Sequence, residues 1–202
     1  MTEMQTIDFY FDFSSPYGYL ASTRIDALGA KYGREVRWRP ILLGATFKAT
    51  GLPPLPTVPL KGDYARHDFA RSARFHGIAY KHPTVFPIAT QAPARAFYWL
   101  EAQDPAKAKR LAAALYEAYF QHDVNISNPS DTVAIAAGMG VDGAALEAAL
   151  NDPAIKDKLR VEVEQAIARG VFGSPFIFVD DEPFWGMDRF DQVERWLKEG
   201  RF

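Results

Sequence analysis

Two serine-proline pairs near opposite ends of the chain have the residue types and the setting needed to hold a nucleophile. Ser15-Pro16 follows an aromatic-rich run, and Ser174-Pro175 precedes a run of aromatic and β-branched residues. A serine before a proline at a strand-to-helix turn is typical of a helix N-cap with proline at the first helical position. Such a turn presents unpaired N–H groups and the positive end of the helix dipole, which suits a thiolate or a carboxylate. Each motif alone also fits a plainly capped helix or an ordinary loop proline.

Sulfur chemistry in this protein requires a thiol from a bound ligand, because none of the 202 residues is a cysteine. The composition excludes disulfides, zinc-thiolate sites, a cysteine nucleophile and dithiol redox chemistry. A serine hydrolase is disfavoured because the chain has no G-x-S-x-G motif and no histidine in a triad-like context. The histidines also lack metal-ligand spacing, so we expect no metal site and surface or helix-capping roles. They are His67, His76, His82 and His122.

Charge and hydrophobic content restrict the partners. With 48% hydrophobic residues, the chain can bury one sizeable core. A net charge of −2 leaves no basic excess to neutralise phosphates, so neither a nucleic acid nor an anionic membrane is expected as a partner. No apolar run is long enough to span a bilayer, and the acidic N-terminal segment is unlike a signal peptide. We therefore expect a cytoplasmic location.

The first sixty residues predict a β-α-β unit followed by a loop. Residues 7–13 and 35–43 have the alternation of strands, and residues 16–32 place apolar side chains near one helical face. A strand, a crossover helix and a second strand place the two strands parallel. Residues 44–62 contain four prolines and three glycines, so we predict an extended surface loop there.

The remaining chain is predicted to be helical up to Gly170 and then to return to β structure. Asp-Pro and Asn-Pro pairs are typical helix starts, and three occur, at 104–105, 128–129 and 152–153. Residues 176–179 and 184–185 flank an acidic turn and predict an antiparallel hairpin. A final helix is predicted over residues 186–198.

This order predicts an α/β protein with a thioredoxin-like fold, β-α-β … β-β-α, and a large all-α domain inserted between the halves. The thioredoxin-like domain would comprise residues 1–62 and 171–202, and the inserted helical domain residues 63–170. In that fold the turn after the first strand and the turn before the third strand meet at one end of the sheet. Residues 14–17 would therefore face Pro175, which fits the cis-proline turn of these proteins.

Segments from both ends of the chain resemble one known family. They are DFYFDFSSPYGYLA (8–21), the loop segments KATGLPP and PLKGDY, and VFGSPFIFVDDEPFWGMDR (171–189). Together they are similar to the bacterial 2-hydroxychromene-2-carboxylate isomerases, close relatives of the kappa-class glutathione transferases within the DsbA-like branch of the thioredoxin fold. The resemblance covers both ends well, whereas the helical middle matches in length and character.

The resemblance implies a glutathione site at the first turn. Ser15, followed by Pro16 and Tyr17, matches the active-site serine of the family, whose hydroxyl hydrogen-bonds the sulfur of bound glutathione. Ser174, beside Pro175, would pair its backbone with the cysteinyl part of the peptide. A helix N-terminus and a hydroxyl donor would together favour the thiolate over the thiol.

Charged residues elsewhere would hold the two ends of glutathione. Lys61 matches a lysine near the glycyl carboxylate, and Asp188 matches the acid that holds the γ-glutamyl ammonium group. Asp188 alone also fits an N-cap of the last helix. Met187 stands where relatives often have a polar residue, so a glutathione contact there would use its backbone.

The resemblance defines the aromatic substrate's contacts less fully. Lys48 matches a lysine placed for the substrate carboxylate, and Trp185 is expected in the core or in the pocket wall. An asparagine commonly follows the FP motif in relatives, but here Phe86-Pro87 is followed by Ile88.

The implied activity is a glutathione-dependent isomerisation of an aromatic 2-hydroxy-2-carboxylate. Bound thiolate would add reversibly to the conjugated system, allow ring opening and rotation, and leave unchanged. A kappa-class-like transferase or peroxidase and a non-catalytic thiol- or peptide-binding module are the alternatives. A DsbA-like dithiol oxidoreductase fails, because the turn 14–17 contains no sulfur. A homodimer is expected from the family.

Overall fold

The computed structural model describes residues 6–202. Within them, a four-stranded sheet positions the Ser15 and Ser174 turns. Its strands are β1 (Thr6–Phe11), β2 (Glu35–Pro40), β3 (Phe176–Val179) and β4 (Glu182–Trp185), in the order β2-β1-β3-β4. β1 is parallel to β2 and antiparallel to β3, and β3 is antiparallel to β4. This topology confirms the predicted thioredoxin-like order. The acidic segment that argued against a signal peptide lies partly outside the described residues.

Helices follow the strands and fill the long segment between β2 and β3. They are α1 (Pro16–Ser22), α2 (Ile25–Lys31), α3 (Leu43–Thr50), α4 (Lys61–Phe75), α5 (Gln91–Glu101), α6 (Pro105–Phe120), α7 (Pro129–Gly138), α8 (Gly143–Asn151), α9 (Pro153–Ala168) and α10 (Phe190–Glu199). No helix within residues 6–202 is long and apolar enough to cross a membrane.

Local capping chemistry explains where several helices begin. The side chains of Asp104, Asp142 and Asp152 accept hydrogen bonds from backbone N–H groups in the first turns of α6, α8 and α9. Proline occupies the first turn of α6, α7 and α9, where its missing N–H removes no helical hydrogen bond. The helix starts predicted at 104–105, 128–129 and 152–153 are confirmed.

The prediction of one extended loop over residues 44–62 is wrong in its first part. α3 covers Leu43–Thr50, because every proline of this segment lies beyond Gly51. Gly51 ends the helix in the left-handed conformation with φ of 71°, which glycine adopts without a steric penalty. Between Gly51 and the start of α4 at Lys61, the chain is irregular except for a short 3₁₀ turn, Leu55–Thr57.

The predicted helix 16–32 is two helices, and three other boundaries differ. The hydroxyls of Ser22 and Thr23 bond back to carbonyls three residues earlier, which competes with helix continuation. β1 ends at Phe11 and β2 at Pro40, earlier than predicted. The last helix begins at Phe190, after a 3₁₀ turn at Met187–Arg189.

The hydrophobic core continues from the sheet into the helical segment. Phe11 of β1 is fully buried and packs edge-on against Trp38 of β2, with ring centroids 5.4 Å apart. Its ring also meets Phe97 of α5 and Tyr116 of α6. These contacts fix α5 and α6 against the end of β1 from which the chain enters the Ser15 turn. The division into a sheet domain and a helical domain stays a prediction.

An ion-pair cluster joins β1, β2 and the residue that follows α9. The carboxylate oxygens of Asp8 accept hydrogen bonds from Arg39 Nε at 2.8 Å and from Arg169 Nη1 at 2.6 Å. Arg39 also contacts Glu162 at 3.4 Å. Burial opposes ionisation of Asp8, but the hydrogen bonds from the two guanidinium groups outweigh it. The pKa of Asp8 therefore lies below its usual range.

Asp8→Asn is expected to lower the free energy of unfolding at pH 7 by about 2 kcal/mol, because two partly buried guanidinium groups lose their carboxylate. Since the folded pKa is depressed, this contribution is present above the unfolded pKa of about 3.9 and is lost as the pH falls through the folded pKa. Urea unfolding near pH 7 and below about pH 3 measures both effects. Asp181→Asn, at an exposed residue 3.8 Å from Arg169, is the control without a measurable effect.

Candidate active site

The turn between β1 and α1 holds Ser15 in a buried and bonded position. Ser15 is the N-cap of α1, is 5% exposed, and its Oγ accepts a hydrogen bond from Gly18 N at 3.0 Å. Pro16 has no N–H to donate, so Tyr17 N is the first-turn donor left without an intrahelical acceptor. The turn thus combines one hydroxyl and one backbone N–H at the positive end of a helix.

The turn before β3 meets the Ser15 turn, as the predicted fold requires. Ser15 Oγ donates a hydrogen bond to the carbonyl of Ser174 at 2.9 Å. Asp12 N donates to Ser174 Oγ, also at 2.9 Å. The peptide bond between Ser174 and Pro175 is cis, in agreement with the expectation from the sequence. Two motifs 159 residues apart therefore form one structural unit.

Gly18 permits the close approach of these elements. A Cβ at this position would lie 2.7 Å from Ser174 Oγ and 2.8 Å from the hydroxyl of Tyr116. Both distances are too short for a real Cβ contact, so any larger residue displaces one of the two hydroxyl groups.

The hairpin β3–β4 leads the chain back past the same turn. Gly186 N donates to the carbonyl of Pro175 at 3.1 Å, which brings the 3₁₀ turn with Met187 and Asp188 beside the cis-proline. Met187 is buried, whereas Asp188 is exposed and pairs with Arg189. The alternative that Asp188 caps the last helix is wrong: Arg189 occupies the N-cap position, without a side-chain capping bond.

A cleft of about 440 Å³ opens between α1 and the start of α4. It is lined mainly by apolar groups, from Tyr17, Leu55, Leu60, Lys61, Tyr64 and Ala65. The hydroxyl of Tyr17 donates to Asp68 of α4, which ties the helix that carries Lys61 to the helix that begins after Ser15. Burial and the hydrogen bond to Asp68 both raise the pKa of Tyr17, so its hydroxyl keeps its proton at neutral pH.

Trp185 and Lys48 occupy different surroundings. Trp185 is 55% exposed and packs edge-on against Phe172, with centroids 4.9 Å apart. Its indole lies so close to Gly173 that a Cβ there would collide with it, so Trp185 borders the cis-proline turn instead of the core. Lys48 is exposed in the last turn of α3 and is not among the residues that line the cleft.

Sequence reasoning missed Asp12, which is 2% exposed at the end of β1. Its carboxylate accepts hydrogen bonds from Ser14 N at 2.7 Å, Leu43 N at 2.7 Å and Thr90 Oγ1 at 3.1 Å. Burial raises its pKa to about 6, although these hydrogen bonds favour the charged form. The signal available in the sequence was a lone carboxylate in an aromatic run, FYFDF.

Comparison with known proteins shows which proteins this chain is similar to in sequence and in structure. The model of the DSBA-like thioredoxin domain matches residues 6–198. A 2-hydroxychromene-2-carboxylate isomerase of Sphingobium xenophagum is 32% identical over 96% of this chain and 98% of its own. A solved 2-hydroxychromene-2-carboxylate isomerase superposes with a TM-score of 0.86 and 29% identity, covering 96% of this chain and 94% of that one. Glutathione S-transferase kappa 2 of Caenorhabditis elegans is 24% identical over 98% of this chain and 94% of its own.

Proposed function

Because this chain belongs to the DSBA-like thioredoxin family and, within it, to the 2-hydroxychromene-2-carboxylate isomerases, we propose that it is a glutathione-dependent isomerase. Its reaction would interconvert 2-hydroxychromene-2-carboxylate and trans-o-hydroxybenzylidenepyruvate-type aromatic substrates. One observation carries the proposal. In a chain without cysteine, the hydroxyl of Ser15 lies at the contact between the helix N-terminus and the cis-proline turn.

The residues at this site fit a small anionic thiol peptide. Tyr17 N and the Ser15 hydroxyl are donors placed where a thiolate would gain from the helix dipole. Lys61 lies in the cleft beside Tyr17 and supplies a cation for a carboxylate. Asp188 is an exposed anion on the turn next to Pro175, available to an ammonium group.

The Ser15 hydroxyl has to change its partner to act in this way. A serine hydroxyl has a single proton, and here that proton is donated to the carbonyl of Ser174. Donation to a sulfur atom requires rotation away from this carbonyl, which then becomes free to pair with a peptide ligand. The hydrogen bond seen in the turn supports this proposal, because the Ser174 carbonyl is the acceptor that the ligand sulfur would replace.

Glutathione and the side chains of this protein have different proposed roles in the reaction. When bound, glutathione would supply a thiolate that adds reversibly to the conjugated aromatic acid, permits ring opening and bond rotation, and leaves unchanged. Ser15 and Tyr17 N stabilise negative charge on sulfur, which in free cysteine requires a pH near the thiol pKa of about 8.5. Lys48 attracts the substrate carboxylate as a point charge, and Trp185 forms part of the wall of the pocket for the aromatic substrate.

The two lysines are expected to affect different ligands. Lys61→Ala should weaken glutathione binding about tenfold, because a carboxylate loses its cationic partner, and should leave the KM of the aromatic substrate nearly unchanged. Lys48→Ala should do the reverse. Calorimetric titration with glutathione and initial rates at varied aromatic substrate measure the two effects. Each variant serves as the control for the other, and equal effects on both ligands would contradict the assignment.

The proposed function is tested by following the absorbance of the aromatic substrate at several glutathione concentrations while glutathione is quantified separately. We expect turnover that requires glutathione and leaves its total concentration constant. Stoichiometric loss of glutathione into a conjugate would favour the kappa-class-like transferase. Saturable glutathione binding without turnover would favour the non-catalytic module. A rate independent of glutathione would overturn the proposal.

The homodimer and the cytoplasmic location expected from the sequence stay predictions that belong to this proposal.

A further inference from the structure

Asp12 is the residue on which the segments around Ser15 converge. Its N–H donates to Ser174 Oγ at 2.9 Å, and its carbonyl accepts from Ser15 N at 2.9 Å. The same carbonyl accepts a hydrogen bond from the hydroxyl of Tyr116 on α6 at 2.9 Å. The backbone of Asp12 alone therefore joins both turns of the candidate active site and the helical segment.

The carboxylate of Asp12 extends this junction to three helix starts. One oxygen accepts from Ser14 N, just before α1. The other accepts from Leu43 N, the first residue of α3, and from the hydroxyl of Thr90, which directly precedes α5. Residues at or next to the starts of three helices thus donate to one buried carboxylate.

Neither α3 nor α5 has a side-chain cap of its own. Leu42 has no polar side chain to cap α3, and Thr90 turns its hydroxyl to Asp12 instead of to its own helix. A local N-cap residue normally provides the acceptor for the first N–H groups of a helix. For α3 this acceptor is Asp12, which lies 31 residues earlier in the chain. The direction of α3, and with it the place of Lys48, is fixed by the group that also fixes the Ser15 turn.

We propose that Asp12 is a positioning residue that holds the Ser15 turn and the Lys48 helix in a fixed relation to each other. It acts through Ser14 N and Leu43 N and does not touch the reacting atoms. The catalytic part of this inference rests on the proposed function, whereas the positioning part does not.

Asp12→Asn tests the proposal, because an amide has one acceptor oxygen where the carboxylate has two. Either Ser14 N or Leu43 N then faces an NH₂ group. We expect a decrease in kcat and an increase in the KM of the aromatic substrate, each about tenfold. The matched control is Asp8→Asn, a buried carboxylate on the same strand with partners outside the site, for which both parameters stay within about twofold.

A double mutant separates positioning from general destabilisation. If Asp12 acts on the substrate through α3, Asp12→Asn combined with Lys48→Ala should raise KM little more than Lys48→Ala does alone. Multiplication of the two effects, or equal kinetic effects of Asp8→Asn and Asp12→Asn, would overturn the proposal. Where Asp12→Asn does not fold, Thr90→Val should give a several-fold loss that Thr90→Ser restores, and an unchanged Thr90→Val enzyme would overturn it.

Amide hydrogen exchange provides a readout that does not depend on activity. Relative to the amide of Leu115, a fully buried core residue, Asp12→Asn should accelerate exchange at Ser14 N or Leu43 N at least tenfold. Asp8→Asn lowers the overall stability and should therefore change all three rates by the same factor. No acceleration relative to Leu115 in Asp12→Asn contradicts the positioning role. Absence of glutathione-dependent turnover in the wild-type protein, with accelerated exchange in the variant, would instead contradict the proposed function and leave the positioning role in place.

Discussion

Ser15→Ala is expected to lower kcat/KM for the aromatic substrate by about 100-fold, because the site loses the hydroxyl proposed to stabilise the thiolate. The apparent pKa of bound glutathione should rise by about one to two units toward the free value near 8.5, which corresponds to roughly 1.4 to 2.7 kcal/mol. Thiolate absorbance followed against pH in the presence of glutathione measures this shift directly.

Ser15 also caps α1, so the effect of Ser15→Ala on the free energy of unfolding has to be measured separately from its effect on activity. Loss of an N-cap hydroxyl typically lowers the free energy of unfolding by about 1 kcal/mol, which leaves a stable protein fully folded. Ser15→Thr keeps both the hydroxyl and the cap acceptor and should recover most of the activity. A folded Ser15→Ala enzyme with wild-type thiolate absorbance and wild-type rates would remove Ser15 from the proposed mechanism.

The parts of the fold that sequence predicted correctly depend on local signals. Asp104 and Asp152 precede prolines, and each caps the helix that it was predicted to start. The aromatic-rich run of β1 and the short hairpin of β3 and β4 also depend on residues close in sequence. Once the order of elements was known, the meeting of Ser15 with Ser174 followed from topology, since both turns lie at the same end of the sheet.

The missed helix α3 and the missed residue Asp12 depend on contacts that are distant in the chain, whereas the split of the predicted helix 16–32 depends on the local hydroxyl groups of Ser22 and Thr23. α3 has no local N-cap, and its first N–H is bonded to Asp12, so a composition average over residues 44–62 described the segment as a loop. Thr90 and Tyr116 reach the same residue across 78 and 104 positions. Helical periodicity and turn motifs depend on neighbouring residues and do not predict contacts between residues so far apart. The junction at Asp12 could therefore be found only in the three-dimensional structure.

The unfolding free energy of the wild-type protein, measured relative to that of Asp12→Asn, is expected to decrease by roughly 2 kcal/mol between about pH 4 and pH 7. Burial raises the pKa of Asp12 to about 6 in the folded protein, against about 3.9 in the unfolded chain. The folded protein therefore keeps the proton to a higher pH. The contribution of this protonation to stability is complete below the unfolded pKa and is lost as the pH rises through the folded pKa.

The neighbours of Asp12 keep this titration simple. The ionisable side chains that act on it are Tyr116 and Tyr119 of α6, and burial raises the pKa of both, so they stay neutral across the whole range. When Asp12 is protonated, Thr90 is the partner that can reverse its bond, because a hydroxyl accepts as well as donates and the amide groups of Ser14 and Leu43 only donate.

Urea unfolding of the wild-type protein and Asp12→Asn at intervals of pH gives the difference directly, since the other titrating groups are common to both proteins. For Asp8→Asn the corresponding difference should stay flat above about pH 5, because the pKa of Asp8 is shifted downward and its titration window lies at lower pH. The two carboxylates are four residues apart, and the opposite directions follow from their partners. Asp8 faces two guanidinium groups, whereas Asp12 faces neutral donors that do not offset its burial. A difference for Asp12 that is flat or grows with pH would mean that the three neutral donors outweigh burial.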